Sequence, residues 1–234
     1  NLDSFEPLVK FSKNQGIKKF IYASSSSVYG IKEEKNVIET MELKPLTDYS
    51  KYKAMCEDIL LKYCSTDFVS CILRPATVCG FSKRQRFDLV VNLLTNLGYN
   101  NNKITVFGGN QLRPNIHIKD MVESYKQIIE INDNLINGEI FNVGYENQTV
   151  NEIAENVKKI LGDNISIIKE HTDDNRSYHI SSEKIRNKIN FKPKYSIEDA
   201  ILDLKISFDR KLFYDSLKNE EYFNIKKMQN LNIT

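Results

Sequence analysis

The chain has 234 residues, of which 41% are hydrophobic and 27% are charged, and its formal net charge is +2 at pH 7. Because charges of both signs are interleaved, the composition gives no indication of a nucleic-acid or membrane-surface partner. No apolar run approaches the roughly 20 residues of a transmembrane helix. The four cysteines and three histidines lack the spacings of a zinc or redox site, so we expect no metal and a reducing, cytoplasmic setting.

The spacing of apolar residues predicts helices that alternate with strands along the chain. The first helix, over 3–15, places Phe5, Leu8, Val9 and Phe11 near one face. Further helices are predicted over 49–64, 86–97, 119–131, 150–161, 181–188 and 196–210, and strands over 19–23, 67–73, 103–107, 139–143 and 165–168. The last twenty residues are polar, and we expect a loose or surface-bound tail. The alternation predicts an α/β fold with a parallel sheet.

The segment over 49–53 reads YSKYK and places Tyr49 and Lys53 on one face of a predicted helix. A lysine ammonium beside a phenol favours the phenolate. Such a tyrosine can act as a general base toward a hydroxyl group, and as the acid in the reverse direction. By itself the spacing is weak evidence, because a Tyr and a Lys often share a solvated helix face by chance. A serine-rich stretch after a strand is likewise usually just a turn.

The two features follow one another in a specific order. The segment over 22–30 reads YASSSSVYG and ends a predicted strand, and Tyr49 and Lys53 follow about twenty residues later. In this combination the chain resembles the extended short-chain dehydrogenase/reductase family, and within it the NAD-dependent nucleotide-sugar epimerases and dehydratases. The resemblance implies that Ser25, Tyr49 and Lys53 are catalytic. If the serine segment matches the family motif one residue earlier or later, Ser24 or Ser26 takes the place of Ser25.

Later segments resemble the same family in the same order. The segment over 73–80, LRPATVCG, matches an arginine-centred strand end, and Thr77 stands where many epimerases carry a phosphate-contacting Asn. The segment over 106–120 matches one whose arginine, here Arg113, contacts the nucleotide diphosphate, and Arg176 falls at a second such position. The resemblance therefore implies cofactor contacts from Tyr49, Lys53 and Pro75, and substrate contacts from Ser26, Thr77, Arg113 and Arg176.

The nine glycines form no GxGxxG or GxxGxxG loop of the kind that holds a pyrophosphate. We therefore expect a fragment that lacks about the first third of the enzyme; a naturally short protein is the alternative. The implied fold is the C-terminal part of a Rossmann-like parallel sheet plus a smaller mixed α/β substrate domain. Residues 1–80, with 105–145 contributing, would belong to the dinucleotide-binding domain, and 81–234 would mainly bind the nucleotide sugar. NAD is the implied cofactor, and without the loop NADP is not excluded.

The residues after Ser25 bear on the reaction. Dehydratases of this family carry an Asp-Glu pair directly after the catalytic Ser/Thr, whereas this chain has Ser26 and Ser27. Neither hydroxyl can be the acid and base for loss of water near neutral pH, so 4,6-dehydration is disfavoured. The leading hypothesis is C4 epimerisation of a nucleotide sugar through a transient 4-keto sugar, with Tyr49 removing the O4 proton. The alternatives are a nucleotide-sugar 4-reductase or dehydrogenase, and an inactive, truncated nucleotide-sugar-binding protein. The resemblance also implies a homodimer.

Overall fold

The computed structural model describes residues 2–34, 36–172, 177 and 179–231. Helices and strands alternate, and they form two compact units. The first unit comprises residues 1–76, 120–145 and 176–193, and the second comprises residues 77–119, 146–175 and 194–234. The helices are α1 Leu2–Asn14, α2 Asp48–Tyr63, α3 Val90–Asn101, α4 Ile118–Glu130, α5 Val150–Leu161, α6 Glu183–Ile189, α7 Ile197–Asp209 and α8 Asn224–Asn230. The strands are β1 Lys19–Ala23, β2 Val69–Pro75, β3 Thr77–Cys79, β4 Lys103–Phe107, β5 Leu112–His117, β6 Glu139–Val143, β7 Glu146–Thr149 and β8 Ser166–Glu170.

The first unit is built on a parallel sheet of order β1-β2-β6. Six of the seven residues of the central strand β2 are buried, as is typical of a parallel strand covered on both faces. Helices α1 and α2 pack on one another and on this sheet, with Phe5, Val9, Leu60, Phe68 and Ile72 in their shared core. The parallel α/β arrangement predicted from the sequence is confirmed.

The second unit is mixed. Strand β5 pairs parallel with β3 and antiparallel with β7, while β4 and β8 form a separate parallel pair. Helices α3, α5 and α7 pack against one another. Their amphipathic faces supply most of the core, which includes Val91, Ile104, Ile153, Val157 and Ile201.

Two expectations need correction. In α1 only Phe5 and Val9 of the predicted apolar face are buried, whereas Leu8 and Phe11 are 52% and 63% exposed. The short strands β3, β5 and β7 were not predicted, because each is too brief or too polar to show a period of two. Of the two alternatives for the tail, the structure agrees with the surface-bound one over the described part: the tail forms α8, and the backbone carbonyl of Tyr222 accepts a hydrogen bond from the amide of Phe87. Among the residues that the structure describes, none of the helices combines the length and the apolarity needed to cross a bilayer.

Candidate active site

The serine run begins where β1 ends. The Ser24 amide still donates to the carbonyl of Leu73 in the neighbouring strand, at 2.8 Å. The chain then turns into a single 3-10 turn over Ser26–Tyr29, which Ser25 caps: its Oγ accepts from the amide of Ser27 at 3.2 Å. A serine at this position provides the oxygen that an N-terminal cap needs. The carboxyl end of a parallel strand therefore passes directly into a turn lined with hydroxyl groups.

Burial alternates along the four serines. Ser24 and Ser26 are 4% and 2% exposed, whereas Ser25 and Ser27 are only partly buried. The hydroxyls of Ser25 and Ser27 lie 2.8 Å apart, and that of Ser24 donates to Glu57. The accessible hydroxyls are thus those of Ser25 and Ser27, which favours Ser25 over its neighbours as the catalytic serine and gives no support to a substrate contact by Ser26.

The start of α2 is fixed by a reciprocal cap. Thr47 Oγ1 accepts from the Ser50 amide at 3.3 Å, and Ser50 Oγ accepts from the Thr47 amide at 3.1 Å. Two amides that a helix start leaves without partners are thereby satisfied. Tyr49 consequently lies in the first turn, where it is 59% exposed, and Lys53 lies one turn further on. Within the described part of the chain, the Tyr49 hydroxyl has no hydrogen-bond partner.

Lys53 is directed at the end of β1. Its Nζ donates to the carbonyl of Ala23 at 2.6 Å, and it lies 4.9 Å from the ring centroid of Tyr22 and 5.7 Å from that of Tyr49. Burial lowers the pKa of Lys53, because a desolvated ammonium is less stable than a hydrated one. The lysine therefore links the helix to the strand end, with the exposed Tyr49 ring on one side.

A buried charged network lies next to this lysine, and the sequence pattern did not indicate it. Glu57 and Arg74 are 2% and 3% exposed; Arg74 donates to both carboxylate oxygens, Nε to Oε1 at 3.0 Å and Nη2 to Oε2 at 2.6 Å. Arg74 Nη1 also donates to Tyr29 Oη at 2.8 Å, and that hydroxyl donates to Asn142 Oδ1 at 2.7 Å. Burial raises the pKa of Tyr29 to about 12, so the phenol stays protonated and can donate. Two signals were available in the sequence: Glu57 follows Lys53 by four residues on the helix, and Arg74 is the arginine of the strand end over 73–80.

The remaining predicted contacts are spread over both units. Pro75 ends β2 in the first unit and is partly exposed. Thr77 and Arg113 belong to the second unit, where Thr77 in β3 is paired with Asn115, two residues beyond Arg113 in β5. Both Thr77 and Arg113 are partly exposed. Arg176 lies outside the described residues.

The residues at the carboxyl end of the sheet fit the reacting half of a nicotinamide cofactor. Ala23 is exposed, and Pro75 at the end of the neighbouring strand is partly exposed. The ammonium of Lys53 is bound to the carbonyl of Ala23 and lies 5.7 Å from the ring centroid of Tyr49. Ligands of open parallel sheets bind outside the carboxyl ends of the strands. Tyr49, Lys53 and Pro75 would be the residues that contact such a cofactor. The sequence contains no GxGxxG or GxxGxxG motif, the glycine loop that would hold the pyrophosphate of the cofactor.

Comparison with known proteins covers most of the chain. The profile of a family described as "NAD dependent epimerase/dehydratase family" matches residues 1–144. A probable UDP-arabinose 4-epimerase of Oryza sativa subsp. japonica is 25% identical over 207 residues, which are 78% of this chain and 51% of the relative. A dTDP-D-glucose 4,6-dehydratase of Mus musculus is 27% identical over 226 residues, 92% of this chain and 61% of the relative. The chain thus spans about half to two thirds of the length of these relatives.

A solved structure is similar over nearly the whole chain. The UDP-glucuronic acid 4-epimerase of Bacillus cereus, in complex with UDP-glucuronic acid and NAD, has a TM-score of 0.77 and 25% identity to this chain. The match covers 91% of this chain and 68% of that structure. Epimerases and a dehydratase are similar to about the same degree, so overall similarity does not separate the two reactions.

Proposed function

The chain belongs to the NAD-dependent epimerase/dehydratase family, and from this premise we propose that the full-length protein epimerises a nucleotide sugar at C4. The observation that carries the proposal is the arrangement at the carboxyl end of β1. An exposed Tyr49 shares a helix face with Lys53, whose amine is bound to Ala23 O at 2.6 Å. The accessible Ser25 lies two residues after Ala23 in the chain. These are the groups that oxidation and re-reduction of a sugar hydroxyl require.

Each residue has a distinct part in the proposed reaction. Tyr49 takes the proton from O4 of the sugar and later returns it. Lys53 places a positive charge 5.7 Å from the centroid of the Tyr49 ring. Ser25 Oγ accepts from the Ser27 amide. When the Ser27 hydroxyl donates to it as well, the proton of Ser25 can donate to the sugar oxygen. NAD, when bound, supplies the acceptor and then the donor of the C4 hydride. Rotation of the 4-keto sugar between the two steps inverts the centre.

The serines beside Ser25 support epimerisation over dehydration. Loss of water from the sugar needs an acid and a base next to the catalytic hydroxyl, and this chain has Ser26 and Ser27 there. Ser26 is buried, and the Ser27 hydroxyl is hydrogen-bonded to that of Ser25. A hydroxyl with an ordinary pKa is a poor proton shuttle near neutral pH.

We assign recognition of the nucleotide diphosphate to Thr77, Arg113 and Arg176. Arginine suits this role because its planar fork grips phosphate oxygens in a bidentate way. We also propose that residues 1–80, with 105–145 contributing, form the cofactor side of the protein, and that 81–234 mainly bind the nucleotide sugar. The grouping of 120–145 with 1–76 in one compact unit supports the contribution of 105–145 to the cofactor side.

A homodimer in the cytoplasm is the assembly and setting that we propose. Tyr52 and Met55, exposed apolar residues three positions apart on α2, support the dimer, since neighbouring exposed apolar side chains favour an interface. The free thiols of all four cysteines agree with a reducing setting. Light scattering of the purified full-length protein tests the dimer.

Product analysis tests the reaction. The full-length protein is incubated with NAD and in turn with UDP-, GDP-, CDP- and dTDP-hexoses, and the products are identified by NMR. The proposal predicts that one of these sugars equilibrates with its C4 epimer without net consumption of cofactor. A 4-keto-6-deoxy product would show a dehydratase, and stoichiometric reduction of NAD would show a dehydrogenase. In a parallel incubation with NADH in place of NAD, stoichiometric oxidation of NADH would show a reductase. Absence of NAD(H) binding would show a binding protein.

A further inference from the structure

The buried pair of Glu57 and Arg74 has more contacts than an ion pair needs. Besides Glu57, Arg74 reaches the Tyr29 hydroxyl at 2.8 Å and the Glu39 carbonyl at 3.1 Å. Besides Arg74, Glu57 accepts from the Ser24 hydroxyl. Burying two charges is costly, and a pair of apolar residues of the same volume is often equally stable. Stability alone therefore does not account for charged groups at these positions.

The contacts join the elements that carry the candidate catalytic groups. Glu57 lies on α2, one turn beyond Lys53 and two turns beyond Tyr49. Its partner Ser24 lies between Ala23, whose carbonyl receives Lys53, and Ser25. Arg74 is the penultimate residue of β2 and precedes Pro75. A single carboxylate thus connects the helix of Tyr49 and Lys53 with the serine turn and with the end of the neighbouring strand.

We propose that Glu57 is a positioning residue, which holds the serine turn and α2 in a fixed arrangement through Ser24 and Arg74. The proposal rests on the function proposed above and names a further residue of the same site. Catalysis by proton transfer needs heavy atoms within hydrogen-bond reach, about 2.6–3.2 Å. The flexible side chain of Lys53 alone ties α2 to Ala23 O. Glu57 adds a hydrogen bond from Ser24 and a bidentate pair with Arg74, and a bidentate pair fixes both direction and distance.

Three variants of the full-length protein separate positioning from folding. Glu57→Gln removes the charge with little change in shape. The double variant Glu57→Leu with Arg74→Met replaces the pair by apolar side chains, so that no charge is left buried alone. Glu139→Gln is the matched control: it removes a carboxylate that binds Lys184 and Lys188 at the opposite end of β6. Thermal unfolding, hydrogen exchange of the segment over 22–30, kcat and KM are measured for each.

For the double variant we expect a folded protein in which amides of the segment over 22–30 exchange faster than in the wild type. We expect kcat to fall about 100-fold, the size of loss that a misplacement of about 1 Å produces, with KM almost unchanged because the substrate contacts remain. Glu57→Gln is expected to show the same pattern, and Glu139→Gln to show neither change.

Three outcomes would overturn the proposal. One is a double variant that fails to fold, which would make the pair a requirement of folding. Another is a folded double variant with wild-type exchange over 22–30. The third is faster exchange together with an unchanged kcat. If the wild type has no epimerase activity, the proposed reaction fails, and the exchange data still decide whether Glu57 holds the turn.

Discussion

Lys53 has both a structural contact and a proposed part in the reaction. Its ammonium is bound to Ala23 O and lies against the ring of Tyr22, and these contacts bring the charge to the end of β1. The sequence could predict that Tyr49 and Lys53 share one face of a helix, because that relation depends only on their local spacing. It could not predict that Glu57 and Arg74 form a pair. Their contact joins a helix to a strand, and a local sequence pattern does not indicate which elements lie next to each other in space.

The lowered pKa of Lys53 gives a pH dependence with a definite sign. Burial favours the neutral amine, so the ammonium is lost as pH rises through a value below the ordinary one of about 10.4. Because the ammonium is the form that assists Tyr49, we expect kcat to fall at alkaline pH earlier than an ordinary lysine would allow. The pH profile of kcat measures this.

Lys53→Arg tests the assignment, because arginine keeps its charge above pH 12. Any remaining activity in this variant should extend to higher pH than in the wild type. Lys51→Arg, on the solvent side of the same helix where Lys51 binds Asp48 at 3.2 Å, is the control and should leave the profile unchanged. An alkaline limit that is the same in all three proteins would assign it to another group.

At the scale of elements, the site depends on how β1, the 3-10 turn and α2 follow one another. The predicted strand over 19–23 and the predicted helix over 49–64 agree with β1 and α2 within a residue, because apolar periodicity and the cap at Thr47 are strong local signals. The 3-10 turn was predicted only as a serine-rich turn. Its geometry depends on Gly30, whose φ of 68° places it in the left-handed region.

Gly30→Ala should destabilise the protein and disturb Ser25. A Cβ at this position would collide with the carbonyl oxygen of Lys44, in addition to the roughly 1–3 kcal/mol cost of a backbone conformation (φ 68°, ψ −146°) that is essentially restricted to glycine. Gly16→Ala is the matched control, since Gly16 has a φ of +76° and no atom within 4 Å of the added Cβ. We expect a clearly larger fall in Tm for Gly30→Ala than for Gly16→Ala. Equal falls would mean that the turn adapts to the side chain.

At the scale of the whole molecule, each unit has its own apolar core, and carboxylates with lowered pKa values lie on both. Burial alone would raise the pKa of Glu139, but Lys184 and Lys188 outweigh it and lower the value. A hydrogen bond from the backbone amide of Ser196 lowers that of Asp199. The α/β class could be predicted because it follows from the alternation of helices and strands. The division into two units, which begins after residue 76, could not be predicted, because the chain passes between the units several times.

These carboxylates predict how stability depends on acid. A carboxyl group with a lower pKa in the folded state binds fewer protons than it does in the unfolded chain. The contribution of such a group to folding stability is therefore complete above its pKa in the unfolded chain, about 4.3 for a glutamate. The contribution is lost as pH falls through the lower pKa of the folded state. We expect Tm to decrease below about pH 4.3. Glu139→Gln should cost about 1 kcal/mol at pH 7 and make the acid decrease shallower; an unchanged acid dependence would contradict the role given to Glu139.

The central claim is that Tyr49 carries the proton transfer at C4, and one comparison tests it most directly. Turnover and nucleotide-sugar affinity are measured for Tyr49→Phe and for Tyr52→Phe, since Tyr52 is an exposed tyrosine on the same helix with Cys56, not a lysine, four residues later. We predict that Tyr49→Phe lowers kcat by about 10²- to 10⁴-fold with little change in affinity, and that Tyr52→Phe keeps wild-type turnover. Wild-type turnover in Tyr49→Phe would contradict the account.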